Sequence, residues 1–302
     1  MVGRRCRDAG GAAAPPYRIK MLPLDPTQFG FSWTNARACA ERCATAYGQT
    51  QRNLEAMGVS GQFVVNRDTD TEALVINEGD CISVAFRGSS CLRDWIQNFK
   101  TLPEHPRVKL VACDGRAAEI HQGFMEDVDS ITEDLIAAVH LIAAVRNIGA
   151  PASSPAGSGR AVPEAGVPIF VTGHSKGGGE AIDFALELQR QKFPIAGVYT
   201  FGQPRVGNRA FANLYDETLY EETFRVVNQN DIVPRVPGVL MGYKHCGQEI
   251  FLPVGGGWDL NPSLFTALLS DALGLWAAYR HRTDVLVADH NIFAYQRQIQ
   301  NL

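Results

Sequence analysis

The chain has 302 residues, 45% hydrophobic and 20% charged, an ordinary globular balance that allows one large domain or two small ones. A formal net charge of -4 and a pI near 6.0 exclude the broad basic surface expected of a nucleic-acid binder. No apolar run approaches the roughly 18 residues that a membrane span needs, so no transmembrane segment is expected.

The opening Met1-Val2-Gly3-Arg4-Arg5-Cys6-Arg7 is basic, but Ala9 to Pro16 supply no apolar core for a signal peptide. Residues 1–24 therefore read as a loosely ordered tail. A cytoplasmic location is the default expectation, with export that needs no N-terminal signal as the alternative. Residues 25–302 are expected to form a single domain.

The apolar spacing over 35–56 predicts one long helix, capped by Asn35 and stopped by Gly58. β-branched and aromatic runs predict strands at 62–66, 73–76, 81–86 and 108–111. A helix over 126–145 follows. The Gly-, Ala-, Pro- and Ser-rich stretch at about 148–166 has nothing to bury and reads as a flexible insertion. Beyond it the pattern predicts a strand at 167–172, a helix from 180, and strands at 197–201, 223–227 and 249–252. An apolar helix over 264–279 and a short terminal helix close the chain. This alternation implies an α/β fold with a mainly parallel sheet covered on both faces. Seven irregularly spaced cysteines do not form a disulfide framework, and no Cys-x-x-Cys or His-Glu-x-x-His string is present.

The stretch Gly173-His174-Ser175-Lys176-Gly177-Gly178-Gly179 joins a predicted strand to a predicted helix with almost no loop. A tight turn with an incidental serine would explain the glycines. The strand–turn–helix context instead favours an exposed nucleophile, because a serine there projects from the carboxyl end of the sheet. Such a serine needs a base and an orienting acid, in the chain order Ser, Asp or Glu, His. Asp231 falls at the end of the 223–227 strand, where it could equally cap a turn. Of the later histidines, His245 precedes the last strand and His281 ends a helix. His290 lies on a turn after the last strand and is the chosen base. The residue after the nucleophile, Lys176, is expected to offer a main-chain N–H to an oxyanion. The turn Phe86-Arg87-Gly88-Ser89 is the candidate for the second donor, although a plain turn would look the same.

Several segments occur together in one order: Val84-Ala85-Phe86-Arg87-Gly88-Ser89, Asp94-Trp95-Ile96-Gln97-Asn98, His121-Gln122-Gly123-Phe124, Gly173-His174-Ser175-Lys176-Gly177-Gly178, Thr200-Phe201-Gly202-Gln203-Pro204-Arg205, Asn230-Asp231-Ile232-Val233-Pro234 and Asp289-His290. The set resembles the class 3 lipases, the family of the filamentous-fungal triacylglycerol lipases. The resemblance implies an α/β-hydrolase fold and two-step ester hydrolysis through an acyl-serine, with no metal or organic cofactor. Ser175 would be the nucleophile, Asp231 the acid and His290 the base, with Ser89 and Lys176 giving the oxyanion donors. The implied partner is a lipid or other ester, met through transient contact with a lipid surface. Phospholipase A1 activity and cleavage of short-chain or aromatic esters belong to the same chemistry, and a non-catalytic lipid-binding relative is a separate class.

The fungal lipases carry an apolar residue where this chain has Lys176. Its ammonium is expected at the mouth of the site, favouring an anionic or polar head group. Leu92, Trp95, Ile96 and Phe99 recur at helical spacing after the proposed oxyanion turn. They are a candidate lid, with core packing of Trp95 and Phe99 as the other reading.

Overall fold

The computed structural model describes residues 21–48, 50–89, 107–111, 115–147, 166–228, 231–262, 289–300 and 302. The chain begins with helices α1 (Trp33–Ala46) and α2 (Gln51–Met57) and strands β1 (Gly61–Asn66), β2 (Thr71–Asn77) and β3 (Ile82–Phe86). β4 (Arg107–Val111), β5 (Ala117–Ile120), α3 (Gln122–Asp129) and α4 (Thr132–Asn147) follow. Then come β6 (Ile169–His174), α5 (Lys176–Arg190), β7 (Ile195–Phe201), β8 (Gly207–Asn208), α6 (Arg209–Leu219) and β9 (Thr223–Asn228). The chain ends through β10 (Tyr243–Lys244), β11 (Gln248–Leu252), β12 (Asp259–Leu260) and α7 (Ile292–Gln300).

Eight strands form the central sheet in the order β1-β2-β3-β6-β7-β9-β11-β12. The inner neighbours β3, β6, β7, β9 and β11 pair in parallel, while β1, β2 and β12 add antiparallel edges. The expected mainly parallel sheet is therefore present. Strand β4, expected at 108–111, lies instead in a small antiparallel sheet of order β10-β8-β5-β4.

Successive side chains of a strand face opposite ways, so an inner strand covered on both faces must be apolar throughout. In β6, Ile169 and Val171 join the core against α3, α4, α5 and α6, whereas Phe170 joins the core against α1 and α7. Both cores are closed, and all six residues of β6 are buried.

Two expected long helices are each broken in two. The 35–56 helix stops because Tyr47 turns extended and Gly48 takes a φ of 70°. Thr50 then caps α2 by accepting the Asn53 N–H. The 126–145 helix divides at Ser130, whose hydroxyl donates to the Asp127 carbonyl at 2.6 Å. The insertion at 148–166, apart from Gly166, and the helix expected at 264–279 lie outside the described residues.

Helices α3 and α5 pack so closely that a Cβ on Gly179 would meet the Phe124 ring at 2.5 Å. In an open helix Gly→Ala stabilises by about 1 kcal/mol. Here Gly179→Ala should have the opposite sign and destabilise by about 1–3 kcal/mol through overpacking, as read by chemical denaturation.

Candidate active site

The carboxyl ends of β6, β7 and β9 bring the candidate residues together. Ser175 sits between β6 and α5 with φ 59° and ψ -128°, a backbone that side chains rarely adopt. Its N–H donates to the Phe201 carbonyl at 2.9 Å, which ties the turn to the end of β7. The turn can pass this closely because Gly177 has no side chain: a Cβ there would meet the Phe86 carbonyl oxygen at 2.6 Å.

Asp231 follows β9 and is fully buried. Its Oδ1 accepts the Val233 N–H at 2.9 Å, and its Oδ2 accepts the Tyr295 hydroxyl at 2.6 Å. The same Oδ2 lies 2.8 Å from His290 Nδ1. Burial pushes the Asp231 carboxyl up, but His290, the Tyr295 hydroxyl and the Val233 N–H together hold it below its usual range. The ionised carboxylate can only accept, so Nδ1 carries the proton and Nε2 presents a lone pair.

That Nε2 and the Ser175 hydroxyl are both buried, and neither has a hydrogen-bond partner among the described residues. Both side chains line a cleft of about 260 Å³ shared with Tyr47, Ser89, Ile292 and Phe293. The described residues join Ser175 to His290 by no hydrogen bond. They leave one hydroxyl and one basic nitrogen facing the same apolar-walled space.

His174, next to the serine, is an added support rather than a base. Its Nε2 donates to the His290 carbonyl at 2.6 Å, which leaves Nδ1 to accept from the Tyr47 hydroxyl at 2.7 Å. The His174 and His290 rings lie 4.6 Å apart at 31°. Burial, helped by the neighbouring His290, lowers His174 to about 3, so it stays neutral. The Tyr47 hydroxyl also packs against Gly88, where a Cβ would collide with it, so the candidate oxyanion turn abuts the same network. His245 donates from Nε2 to the Pro234 carbonyl at 2.7 Å and braces the turn after Asp231.

The structure overturns the expectation for Lys176. Its ammonium does not stand at the mouth of the site. It turns inward, 3.0 Å from Asp127 and 3.0 Å from Glu180. Two buried carboxylates attract it more strongly than solvent at the helix start can. Ser89 is half-buried at the end of the β3 segment and lines the cleft. The candidate lid residues Leu92, Trp95, Ile96 and Phe99 lie outside the described residues, as do His105 and His281. Among the described residues no group of three His, Cys, Asp or Glu could hold a metal ion.

Sequence reading missed Tyr47, Tyr295, Asp127 and Glu180. Glu180 carried the one usable signal, an acid in the first turns of a helix whose neighbours are glycines and apolar residues.

The family model described as Lipase (class 3) matches residues 83–241. The chain is 32% identical to the lipase of Rhizomucor miehei, over 61% of this chain and 45% of that protein. It is 34% identical to secreted mono- and diacylglycerol lipase 1 of Fusarium solani, over 58% of this chain and 44% of that one. The chain thus spans about half the length of these curated relatives. Among solved structures it resembles a triacylglycerol lipase whose catalytic centre is a serine-protease triad, at a TM-score of 0.52 and 26% identity, covering 72% of this chain and 75% of that chain.

The neutral state of His174 has a pH consequence. Unfolded imidazoles titrate near about 6.5, above the folded value, so the unfolded chain binds more protons between these limits. The stability contributed by neutral His174 is complete above about 6.5 and declines as the pH falls toward its folded value. His174→Gln should therefore lose less melting temperature than wild type between pH 6.5 and 4, as followed by circular dichroism.

Proposed function

The chain belongs to the class 3 lipase family, and from that premise we propose that it hydrolyses carboxylic esters of lipids, acylglycerols above all. The observation that carries the reading is the buried Asp231–His290 pair, whose Nε2 shares a cleft with the Ser175 hydroxyl, neither having a hydrogen-bond partner among the described residues. The relatives' names point to the same substrates, since they are lipases and a mono- and diacylglycerol lipase.

In this mechanism His290 Nε2 takes the Ser175 proton as Oγ attacks the ester carbonyl carbon. The carbonyl π electrons move onto oxygen, and the main-chain N–H groups of Lys176 and Ser89 receive that negative charge. Collapse breaks the bond to the alkoxy group, which leaves as the alcohol with the proton from His290. A water then repeats the sequence on the acyl-serine and releases the fatty acid. Asp231 stays ionised throughout and stabilises the imidazolium that forms twice in each cycle. Ile292 and the half-exposed Phe293 give the acyl chain an apolar wall.

Residues 25–302 are proposed to form one domain. The central sheet supports this, because it runs from Gly61 to Leu260 without dividing. An extracellular place of action is proposed over the cytoplasmic one expected from the sequence, since the Fusarium relative is named a secreted lipase. The inward turn of Lys176 removes the earlier reason to favour anionic head groups.

Fatty-acid release measured in a pH-stat from tributyrin, diolein and phosphatidylcholine tests the proposal. Release should be fastest from the acylglycerols, and Ser175→Ala should lower it by about 10³-fold or more. Turnover by the Ser175→Ala variant at the wild-type rate would remove the nucleophile assignment.

A further inference from the structure

A buried charge cluster lies directly behind the proposed nucleophile. Lys176 is the first residue of α5, and Glu180 is one helical turn on, with no exposed surface. Asp127 reaches the same ammonium from α3, giving ion pairs of 3.0 Å on both sides. Thr71 of β2 also draws the Asp127 carboxyl down. Lys176 Nζ also lies 3.5 Å from the Asp70 carbonyl, in the turn between β1 and β2.

The same turn holds the other side of the site. Arg87 pairs with Asp70 at 3.0 Å and with Glu72 at 3.1 Å, and its N–H donates to the Glu72 carbonyl at 2.9 Å. Arg87 immediately precedes Gly88 and Ser89. The β1–β2 turn is therefore tied electrostatically both to Lys176, the residue after Ser175, and to Arg87, two residues before the second candidate donor Ser89.

We propose that Lys176, clamped by Asp127 and Glu180, is a positioning residue that fixes the oxyanion-binding N–H groups, and that the surplus acid of this cluster controls its charge. The inference rests on the triad reading given above. An apolar side chain at position 176 could fill the space but could not anchor the first turn of α5 to α3 and to the β1–β2 turn. Two acids against one ammonium leave one negative charge too many for a buried site, unless one acid keeps its proton.

The groups facing the cluster agree with that count. Burial pushes Glu180 up to about 7, and adjacent Asp127 adds to the rise against the pull of Lys176. Burial also raises Asp127, while Lys176 draws it back. For Lys176 itself burial works against the charge, but Glu180 and Asp127 outweigh it and hold the ammonium protonated. Tyr47, just past α1, senses the charge of Glu180, Arg87 and Asp70 close the β-hairpin side, and buried Asp183 lies one turn further along α5.

The sign follows. Below about pH 7 the cluster is neutral, with Glu180 protonated. Above it, Glu180 ionises and places a negative charge on the residue one helical turn from the N–H that receives the oxyanion. Like charge there weakens transition-state binding more than ester binding, so kcat should fall while KM changes little.

Hydrolysis of p-nitrophenyl butyrate by wild type, Glu180→Gln and Lys176→Met from pH 6 to 9 tests this, with thermal melts alongside. Wild-type kcat should fall at least about threefold between pH 7 and 9, and Glu180→Gln should abolish that fall. Lys176→Met should lower kcat about 10- to 100-fold with KM within about threefold. A Glu180→Gln profile that superimposes on wild type overturns the inference, as does a folded Lys176→Met with undiminished kcat. Should Lys176→Met fail to fold, the Glu180→Gln profile decides alone. A wild-type chain that cleaves no ester overturns the triad reading itself, and the inference with it.

Discussion

Everything in the site depends on one desolvated contact, the 2.8 Å approach of Asp231 Oδ2 to His290 Nδ1. A lone carboxylate with no exposed surface would be neutralised by protonation. Three donors from separate elements prevent that: His290, Tyr295 on α7, and the Val233 main chain. The result is an ionised acceptor that fixes one tautomer of His290 and leaves the lone pair on its other nitrogen. Removing the imidazole would leave the buried carboxylate one donor short, at a cost of about 1–3 kcal/mol.

The fold's contribution is to deliver these donors to one place. Parallel strands β6, β7 and β9 end side by side, so their following turns meet over one edge. The tightest point is Gly202, at φ 59°, where a Cβ would lie 2.7 Å from Asp231 Oδ2 and 2.8 Å from the His290 ring. Only glycine lets β7 end directly beneath the pair. The strained Ser175 backbone is held from outside by the Phe201 carbonyl and the packing of Gly177 on β3. Tyr47 completes the frame from the far side of the sheet, joining His174 to the Gly88 turn.

The sheet and the candidate serine could be read from the sequence because each has a local signature. Buried strands read as continuous apolar runs, and Ser175 stands between such a run and a helix. Asp231 and His290 followed from their places after later strands and from their order. What escaped the reading depends on contacts between distant parts of the chain. The direction of the Lys176 side chain is set by Asp127 on another helix, which no local pattern reveals. Tyr47 and Tyr295 read as ordinary aromatic core residues until the fold shows which hydroxyl meets which acceptor. The break at Tyr47 did leave signals, Gly48 and Thr50, but the continuous apolar spacing across 35–56 masked them.

The central claim is that a buried acid and base make the hydroxyl at 175 a nucleophile, and covalent labelling reads this most directly. A fluorophosphonate probe should modify wild type at Ser175, located by peptide mass spectrometry, and Asp231→Asn should slow that labelling by about 10³-fold or more. Modification at another residue, or an Asp231→Asn variant labelled as fast as wild type, would contradict the account.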